Sequence, residues 1–255
     1  MFPVTDRDQI RIQTTQRREL TVDDVAGMIE HRLHGPQITE RALAEGCKYA
    51  VQAGLAAVLC RPEQVPEAVR FTSGAVKVVT ALGYHDPAAP LLRPADLVAQ
   101  ANRLAEQGAD EVSILGAPGS VPEASIDLLA DQVGCVHGEV GPDVGVRVLL
   151  DCDGLDDDEV ARACRTVAKS GASVVQAGSI RGDRTSFTRL EGMRSALPDG
   201  VLLKWTQPVK SLAALLVCVG LGVDRFNGDP SQLIISAKRA GGLGPITVPL
   251  AGLDF

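Results

Sequence analysis

Aromatic residues are scarce in this 255-residue chain, at 3% of its composition with a single tryptophan. Hydrophobic residues nonetheless reach 45%, so the core must consist mostly of valine, leucine, isoleucine and alanine. Such side chains suit strands that are buried on both faces and the helices that cover them. The chain also has no basic block and a net charge of −7, which argues against nucleic-acid binding through phosphate neutralisation.

Long apolar runs are absent as well. The longest, 212–223, is too short to span a bilayer, and the polar first 20 residues contain no apolar segment typical of a signal peptide. The six cysteines form no CxxC pair and no Cys/His pair at zinc spacing. We therefore expect a cytoplasmic protein with reduced thiols and no metal site.

What is present is a regular alternation of short apolar runs with amphipathic stretches, many of which end in glycine. Eight apolar runs read as strands: 28–33, 55–60, 76–82, 111–115, 146–152, 172–177, 201–206 and 223–227. Eight such units in about 250 residues predict a single α/β domain, a (β/α)₈ TIM barrel over 26–255. Residues 1–25 are predicted to form a lead-in whose short helix begins at Thr21. An open doubly wound sheet is the alternative, weakened because no GxGxxG turn follows the early strands.

Chemistry in such barrels lies at the carboxyl ends of the strands and in the loops that follow them. The polar residues at those predicted positions are Glu30, His31, Arg32, Arg61, His85, Ser113, Asp151, Asp153, Gln176, Ser179, Arg181, Lys204, Thr206, Asn227 and Asp229. Polar residues are common at strand ends, so this set only narrows the search.

Several stretches, in order along 28–235, resemble the deoxyribose-phosphate aldolase family. MIEHRLHGPQIT is similar to the family's I-D-H-T-L-L-K-P-x-x-T, and GADEVSIL to its G-A-D-E-I-D-M-V. VRVLLDCDGLDDDEVARAC is similar to K-V-I-I-E-T-x-x-L-x-x-E-x-I-x-x-A, and GASVVQAGSIRG to G-A-D-F-V-K-T-S-T-G. The resemblance implies an aldolase-like barrel and a divergent active site.

The family's active-site positions carry over unevenly. Its Schiff-base lysine falls on Gln176, which cannot form an imine, and its catalytic aspartate falls on Ser113. Its second lysine is matched by Lys204, in VLLKWT, and its first-strand aspartate by Glu30. The resemblance therefore implies that Lys204 supplies the amine for any imine chemistry, because Gln176 cannot.

The family's phosphate-binding positions are also changed. Its glycine pair after the seventh strand falls on Gln207-Pro208, and proline has no N–H to donate. Asp229 stands in the turn after the eighth strand, where it would repel a phosphate. Cleavage of deoxyribose 5-phosphate is therefore not expected.

The expected catalytic set is Lys204, Asp151 and Glu30; of the neighbours Glu30 and His31 only one can face inward, and the resemblance implies that it is Glu30. Burial would lower the pKa of Lys204 and free its amine, although a structural ion pair with Asp151 or Glu30 would explain it equally. Asp151 and Asp153 could act as acid and base, or Asp153 could belong to a turn. The expected substrate-binding residues are Gln176, Ser113, Arg181, Asp153 and Ser179.

Three functions stay open. The first is an aldolase-like lyase that uses Lys204 on a non-standard carbonyl substrate. The second is an acid–base cyclase, isomerase or dehydratase without a Schiff base, and the third is a non-catalytic barrel; a metal-dependent aldolase is weaker, because the four histidines do not cluster in sequence. A small-molecule substrate is the expected partner; no cofactor, nucleic acid or membrane is expected, and a homodimer is left open.

Overall fold

The computed structural model describes residues 19–35, 37–84, 92–116, 123–152, 155–178 and 187–249. Its strands are β1 (Glu19–Leu20), β2 (Ile29–Arg32), β3 (Ala57–Leu59), β4 (Lys77–Ala81), β5 (Glu111–Leu115), β6 (Gly145–Asp151), β7 (Val174–Gly178), β8 (Leu202–Val209), β9 (Arg225–Gly228) and β10 (Ile246–Thr247). Strands β2 to β9 are parallel and close into an eight-stranded barrel, while β1 pairs with β10 in a separate antiparallel ribbon. The prediction of a single (β/α)₈ barrel, rather than an open sheet, is confirmed.

Helices connect the barrel strands and cover the outside of the sheet. They are α1 (Val22–Ala26), α2 (Glu40–Ala53), α3 (Val65–Thr72), α4 (Pro94–Glu106), α5 (Glu123–Val140), α6 (Asp157–Lys169), α7 (Phe187–Ala196), α8 (Leu212–Gly220) and α9 (Pro230–Gly241). Among the described residues, no helix is long and apolar enough to cross a membrane.

Local sequence explains where the helices begin and end. Thr21 caps α1 with the reciprocal hydrogen bonds of a capping box, as predicted, and Asp156 does the same for α6. Gly54 ends α2 in the left-handed conformation, with φ at 66°, which glycine adopts without strain. Side chains and glycines at these ends satisfy backbone groups that the helix leaves unpaired.

Each predicted apolar run contains most of one barrel strand, but one prediction about the seventh run is wrong. Gln207 and Pro208 were placed after that strand, whereas β8 continues to Val209. A register shift between Lys204 and Pro208 lets β8 pair again with β9, where Pro208 opposes Asn227. Proline is tolerated in a sheet at such an irregularity.

Side chains alternate between the two faces of each strand. In β6, Val146, Val148 and Leu150 face outward and join the hydrophobic core between sheet and helices. Arg147 and Asp151 belong to the other face, which points into the barrel. The valine- and leucine-rich core predicted from composition therefore lies outside the strands, and the barrel interior contains charge.

Candidate active site

A group of five charged side chains fills the barrel interior, and we call it the ionic cluster. Its members are Glu30, Glu111, Arg147, Lys204 and Arg225, each no more than 2% exposed. Arg147 binds both carboxylate oxygens of Glu30, at 2.8 and 2.9 Å, and contacts Glu111 at 2.6 Å. Arg225 lies 2.7 Å from Glu111 and 3.3 Å from Glu30.

Lys204 donates a hydrogen bond from Nζ to Oε2 of Glu30. Its predicted ion pair is thus with Glu30 rather than with Asp151. Glu30 also faces the interior as predicted, because its neighbour His31 packs edge-on against Tyr49 on the helix side, at 6.1 Å between ring centres. The first and seventh barrel strands are therefore joined through the interior by one carboxylate.

Burial and neighbouring charge act in opposite directions on this cluster. Burial alone would raise the pKa of Glu30, but Arg147, Lys204 and Arg225 together hold it far below its usual value. Burial lowers the pKa of Lys204 from 10.5 to about 7, against the opposing effect of Glu30. The positive charges of Arg147 and Arg225 already balance the negative charges of the two glutamates, so these four side chains carry no net charge without a proton on Lys204. The Lys204 amine therefore loses its proton more readily than the amine of an exposed lysine does.

This shifted pKa has a consequence for stability. The unfolded chain protonates Lys204 below 10.5, whereas the folded chain does so only below about 7. Between these values the unfolded state binds more protons, so the free energy of unfolding rises with pH. We expect the wild type to gain stability relative to Lys204→Met as pH is raised through this window, measured by urea unfolding at several pH values. Parallel pH curves for the two proteins would contradict the assignment.

Above the ionic cluster, a cavity of about 330 Å³ opens at the carboxyl ends of the strands; we call it the mouth cavity. Its wall contains Arg32, His34, Leu59, Cys60, Val79, Thr80, Ala81, Tyr84, Ser113, Leu115, Leu149, Gln176, Thr206, Gln207, Pro208 and Asn227. Arg32, Ser113, Leu149, Thr206 and Asn227 each follow a member of the ionic cluster by two residues, so they form the next inward-facing layer. The volume lies near the lower end of the range for small-molecule sites, about 300–1,000 Å³.

The predicted site residues fall into three groups. Gln176 and Ser113 line the mouth cavity, and Gln176 is the register partner of Lys204. Lys204 and Glu30 lie beneath it in the ionic cluster, and Asp151 is buried at the inward-facing end of β6, opposite Gly178. Asp153, Ser179 and Arg181, together with His85, lie outside the described residues.

Other candidates are structural. Trp205 packs in the hydrophobic core behind β8, and Arg61 pairs with Glu63 at 2.7 Å and donates to the carbonyl oxygen of Gly35. Burial raises the pKa of the Cys60 thiol to about 12, so this cysteine is unreactive at neutral pH. Within the described ranges, no cluster of three or more histidine, cysteine or acidic side chains could hold a metal ion.

Sequence reasoning missed Glu111, Arg147 and Arg225. Each is a charged residue next to apolar residues of a barrel strand, in EVSIL, VRVLLD and RFN. Lys204 in VLLKWT has the same setting. A search of all strands for such residues would have found these three, together with others such as Lys77 in β4.

The N-terminus of α9, which follows β9, is already capped by a side chain of the chain itself. Asp229 caps α9, because its carboxylate accepts hydrogen bonds from the backbone N–H groups of Ser231, at 3.0 Å, and Gln232, at 3.3 Å. Hydrogen bonding from Ser231 also lowers the pKa of Asp229. Barrel enzymes often bind phosphate at a helix N-terminus in this region, but here a carboxylate already occupies it.

Comparison with known proteins identifies relatives that share the name deoxyribose-phosphate aldolase. A deoxyribose-phosphate aldolase of Geobacillus sp. (strain WCH70) is 25% identical over 224 residues, which cover 86% of this chain and 97% of that protein. One from Methanocella arvoryzae is 27% identical over 222 residues, covering 85% and 96%. The chain is similar to deoxyribose-phosphate aldolases. No protein-family model matches it.

Solved structures of aldolases have the same fold. A tetrameric deoxyribose-phosphate aldolase from Aeropyrum pernix superposes with a TM-score of 0.70 at 19% identity, covering 92% of this chain and 97% of that one. At this identity, the likeness establishes the shared aldolase barrel and leaves the chemistry to be argued from the site.

Proposed function

We propose that this chain is an aldolase-like lyase that forms or cleaves a carbon–carbon bond in an unphosphorylated carbonyl substrate, with Lys204 as the nucleophilic amine. The observation that carries the proposal is the buried Lys204 beneath the mouth cavity, whose pKa is lowered by burial. A lysine that is desolvated and placed near other cations is activated for Schiff-base chemistry. Similarity to named aldolases supports the reaction class.

Lys204 must turn from Glu30 toward the cavity to reach a substrate. The Glu30 carboxylate keeps other cationic partners when Lys204 turns away, since Arg147 binds both of its oxygens and Arg225 contacts one. Glu30 therefore acts as a positioning residue that holds the amine at rest. Gln176, the register partner of Lys204, lines the cavity beside the path of the amine, where its amide can hydrogen-bond a hydroxyl formed at the attacked carbon.

The proposed reaction is a retro-aldol cleavage. The Lys204 amine adds to the substrate carbonyl, and the resulting carbinolamine takes up one proton from solvent and loses water, which gives an iminium ion. The Asp151 carboxylate takes the proton of the β-hydroxyl group, the bond between the α and β carbons breaks, and its electron pair moves into the iminium to form an enamine. Protonation at the α carbon and hydrolysis return the amine. Ser113, with Arg181, Asp153 and Ser179, is proposed to bind the substrate.

Borohydride trapping tests this proposal directly. Purified protein is incubated with short aldehydes and hydroxyaldehydes, reduced, and analysed by intact mass and peptide mapping. We expect an adduct on Lys204 in the wild type, the same adduct when the exposed Lys238 is replaced in Lys238→Met, and none in Lys204→Met. Deoxyribose 5-phosphate is expected to trap poorly.

An acid–base enzyme without an imine is the second candidate. It is favoured by one observation: Lys204 is 0% exposed, and Gln176 rather than Lys204 contributes to the cavity wall. Turnover without a trapped adduct, lost in Asp151→Asn and kept in Lys204→Met, would establish this reading. No turnover with any carbonyl would favour a non-catalytic barrel. A cytoplasmic location and a homodimer stay predictions.

A further inference from the structure

The two ends of the mouth cavity differ in charge. Arg32 and His34 are the basic side chains among the described residues of its wall, and both follow β2 or end it. Across the barrel, the wall at β8 and β9 is neutral, with Thr206, Gln207 and Asn227. A substrate with one anionic and one neutral polar end matches this arrangement.

Arg32 is available to a ligand. Its side chain is exposed, and no salt bridge joins it to any residue that the structure describes. It replaces threonine in the aldolase-like stretch I-D-H-T-L-L, where His34 replaces the second leucine. An arginine thus stands at the end of β2 where the aldolase-like pattern has threonine, and Gly35 stands where that pattern has lysine three residues later. A guanidinium group binds a carboxylate through two parallel hydrogen bonds.

The neutral end holds two unsatisfied polar atoms. The Oγ1 of Thr206 and the Oδ1 of Asn227 are buried and have no hydrogen-bond partner within the described part of the chain. Asn227 is 3% exposed, and its amide nitrogen donates to the carbonyl oxygen of Thr206 at 3.3 Å. Buried polar atoms are normally paired. A ligand hydroxyl could donate to Asn227 and accept from Thr206.

Phosphate fits neither end well. Pro208 offers no N–H group, and Asp229 occupies the N-terminus of α9. At the other end, a single arginine supplies the two parallel donors that a carboxylate needs, and no helix N-terminus within the described residues of the cavity wall adds further donors for a dianion. A carboxylate is thus the better match for Arg32.

From these contacts we infer that the mouth cavity binds a short keto acid that also carries a hydroxyl group, with its carboxylate on Arg32 and the hydroxyl group between Thr206 and Asn227. The inference rests on the proposed function, because it names the substrate class of that same site. Lys204 lies two residues before Thr206, and its partner Glu30 lies two residues before Arg32, so the amine is beneath the middle of such a ligand.

Calorimetric binding tests this inference without requiring an imine. The probe is 4-hydroxybutanoate, and its matched neutral compound is 1,4-butanediol. We expect binding of 4-hydroxybutanoate only, weakened roughly 10- to 100-fold by Arg32→Met, partly recovered in Arg32→Lys, and unchanged by Arg41→Met, which removes an exposed arginine of α2. Equal binding of the two compounds, or competition by inorganic phosphate at similar concentration, would overturn the carboxylate assignment.

The hydroxyl contact has its own pair of probes. Wild type is expected to prefer 4-hydroxybutanoate to butanoate by roughly two- to tenfold, and Thr206→Val to lose that preference while keeping the side-chain shape. A preference that survives Thr206→Val and Asn227→Ala would refute the contact. Trapping of neutral aldehydes at Lys204 without any carboxylate binding would leave the proposed function standing and the inference refuted. Carboxylate binding without any trapped adduct would leave the inference standing and refute the proposed function.

Discussion

Arg147→Met is expected to lower the free energy of unfolding by about 3–5 kcal/mol, the usual cost of removing one partner from a buried ion pair. Arg147 binds both oxygens of Glu30 and one of Glu111. Methionine would leave two buried carboxylates with fewer donors, in a site that water does not reach. The measurement is urea unfolding followed by far-ultraviolet circular dichroism at pH 7.

Two matched variants make this result specific. Arg41→Met removes a salt bridge whose arginine side chain is 87% exposed, and it is expected to change stability by less than about 1 kcal/mol. Arg147→Lys keeps the charge but loses the paired donors, so we expect an intermediate loss. If Arg147→Met unfolds completely, Arg147→Lys still gives the measurement. A loss below about 1 kcal/mol in Arg147→Met would mean that the ionic cluster does not hold the barrel together.

Lys204→Met is expected to reduce turnover by roughly 10³-fold or more, because it removes the proposed nucleophile. In the wild type, kcat/KM for a substrate identified by trapping is expected to rise with pH through about 7, as the amine of Lys204 loses its proton. The assay follows release of the aldehyde product over pH 5.5–9, a range chosen to bracket that value.

Lys204→Arg separates charge from nucleophilicity. Arginine can still pair with Glu30, but it does not deprotonate in proteins, so this variant is expected to fold and to be as inactive as Lys204→Met. Retention of more than a tenth of the wild-type turnover in either variant would exclude the imine mechanism and favour the acid–base alternative.

The fold was predictable because its determinants are local. Alternating apolar runs, capping residues such as Thr21 and Asp156, and C-terminal glycines such as Gly54 mark the elements within a few residues of each boundary. The identification of Lys204 and Glu30 as partners was predictable only in part. A lone charge in an apolar strand signals a buried partner, but the sequence does not reveal which strands face one another across the barrel.

The remaining features depend on register. Gln176 lines the cavity whereas its register partner Lys204 does not, since the Lys204 amine is hydrogen-bonded to Glu30 on a distant strand, which no local pattern encodes. The extension of β8 through Pro208 likewise depends on a register shift. Arg32, Thr206 and Asn227 were among the polar strand ends, but only their positions around a single cavity distinguish them from ordinary surface residues.

The layering of the barrel interior has a practical implication for protein engineering. The ionic cluster, whose members are buried and paired with one another, lies one residue layer below Arg32, Thr206 and Asn227. Libraries that randomise the upper layer would therefore alter ligand selectivity while the scaffold and its lysine stay intact. Such a division between a fixed base and a variable rim makes the chain a candidate template for evolving new carbon–carbon bond catalysts.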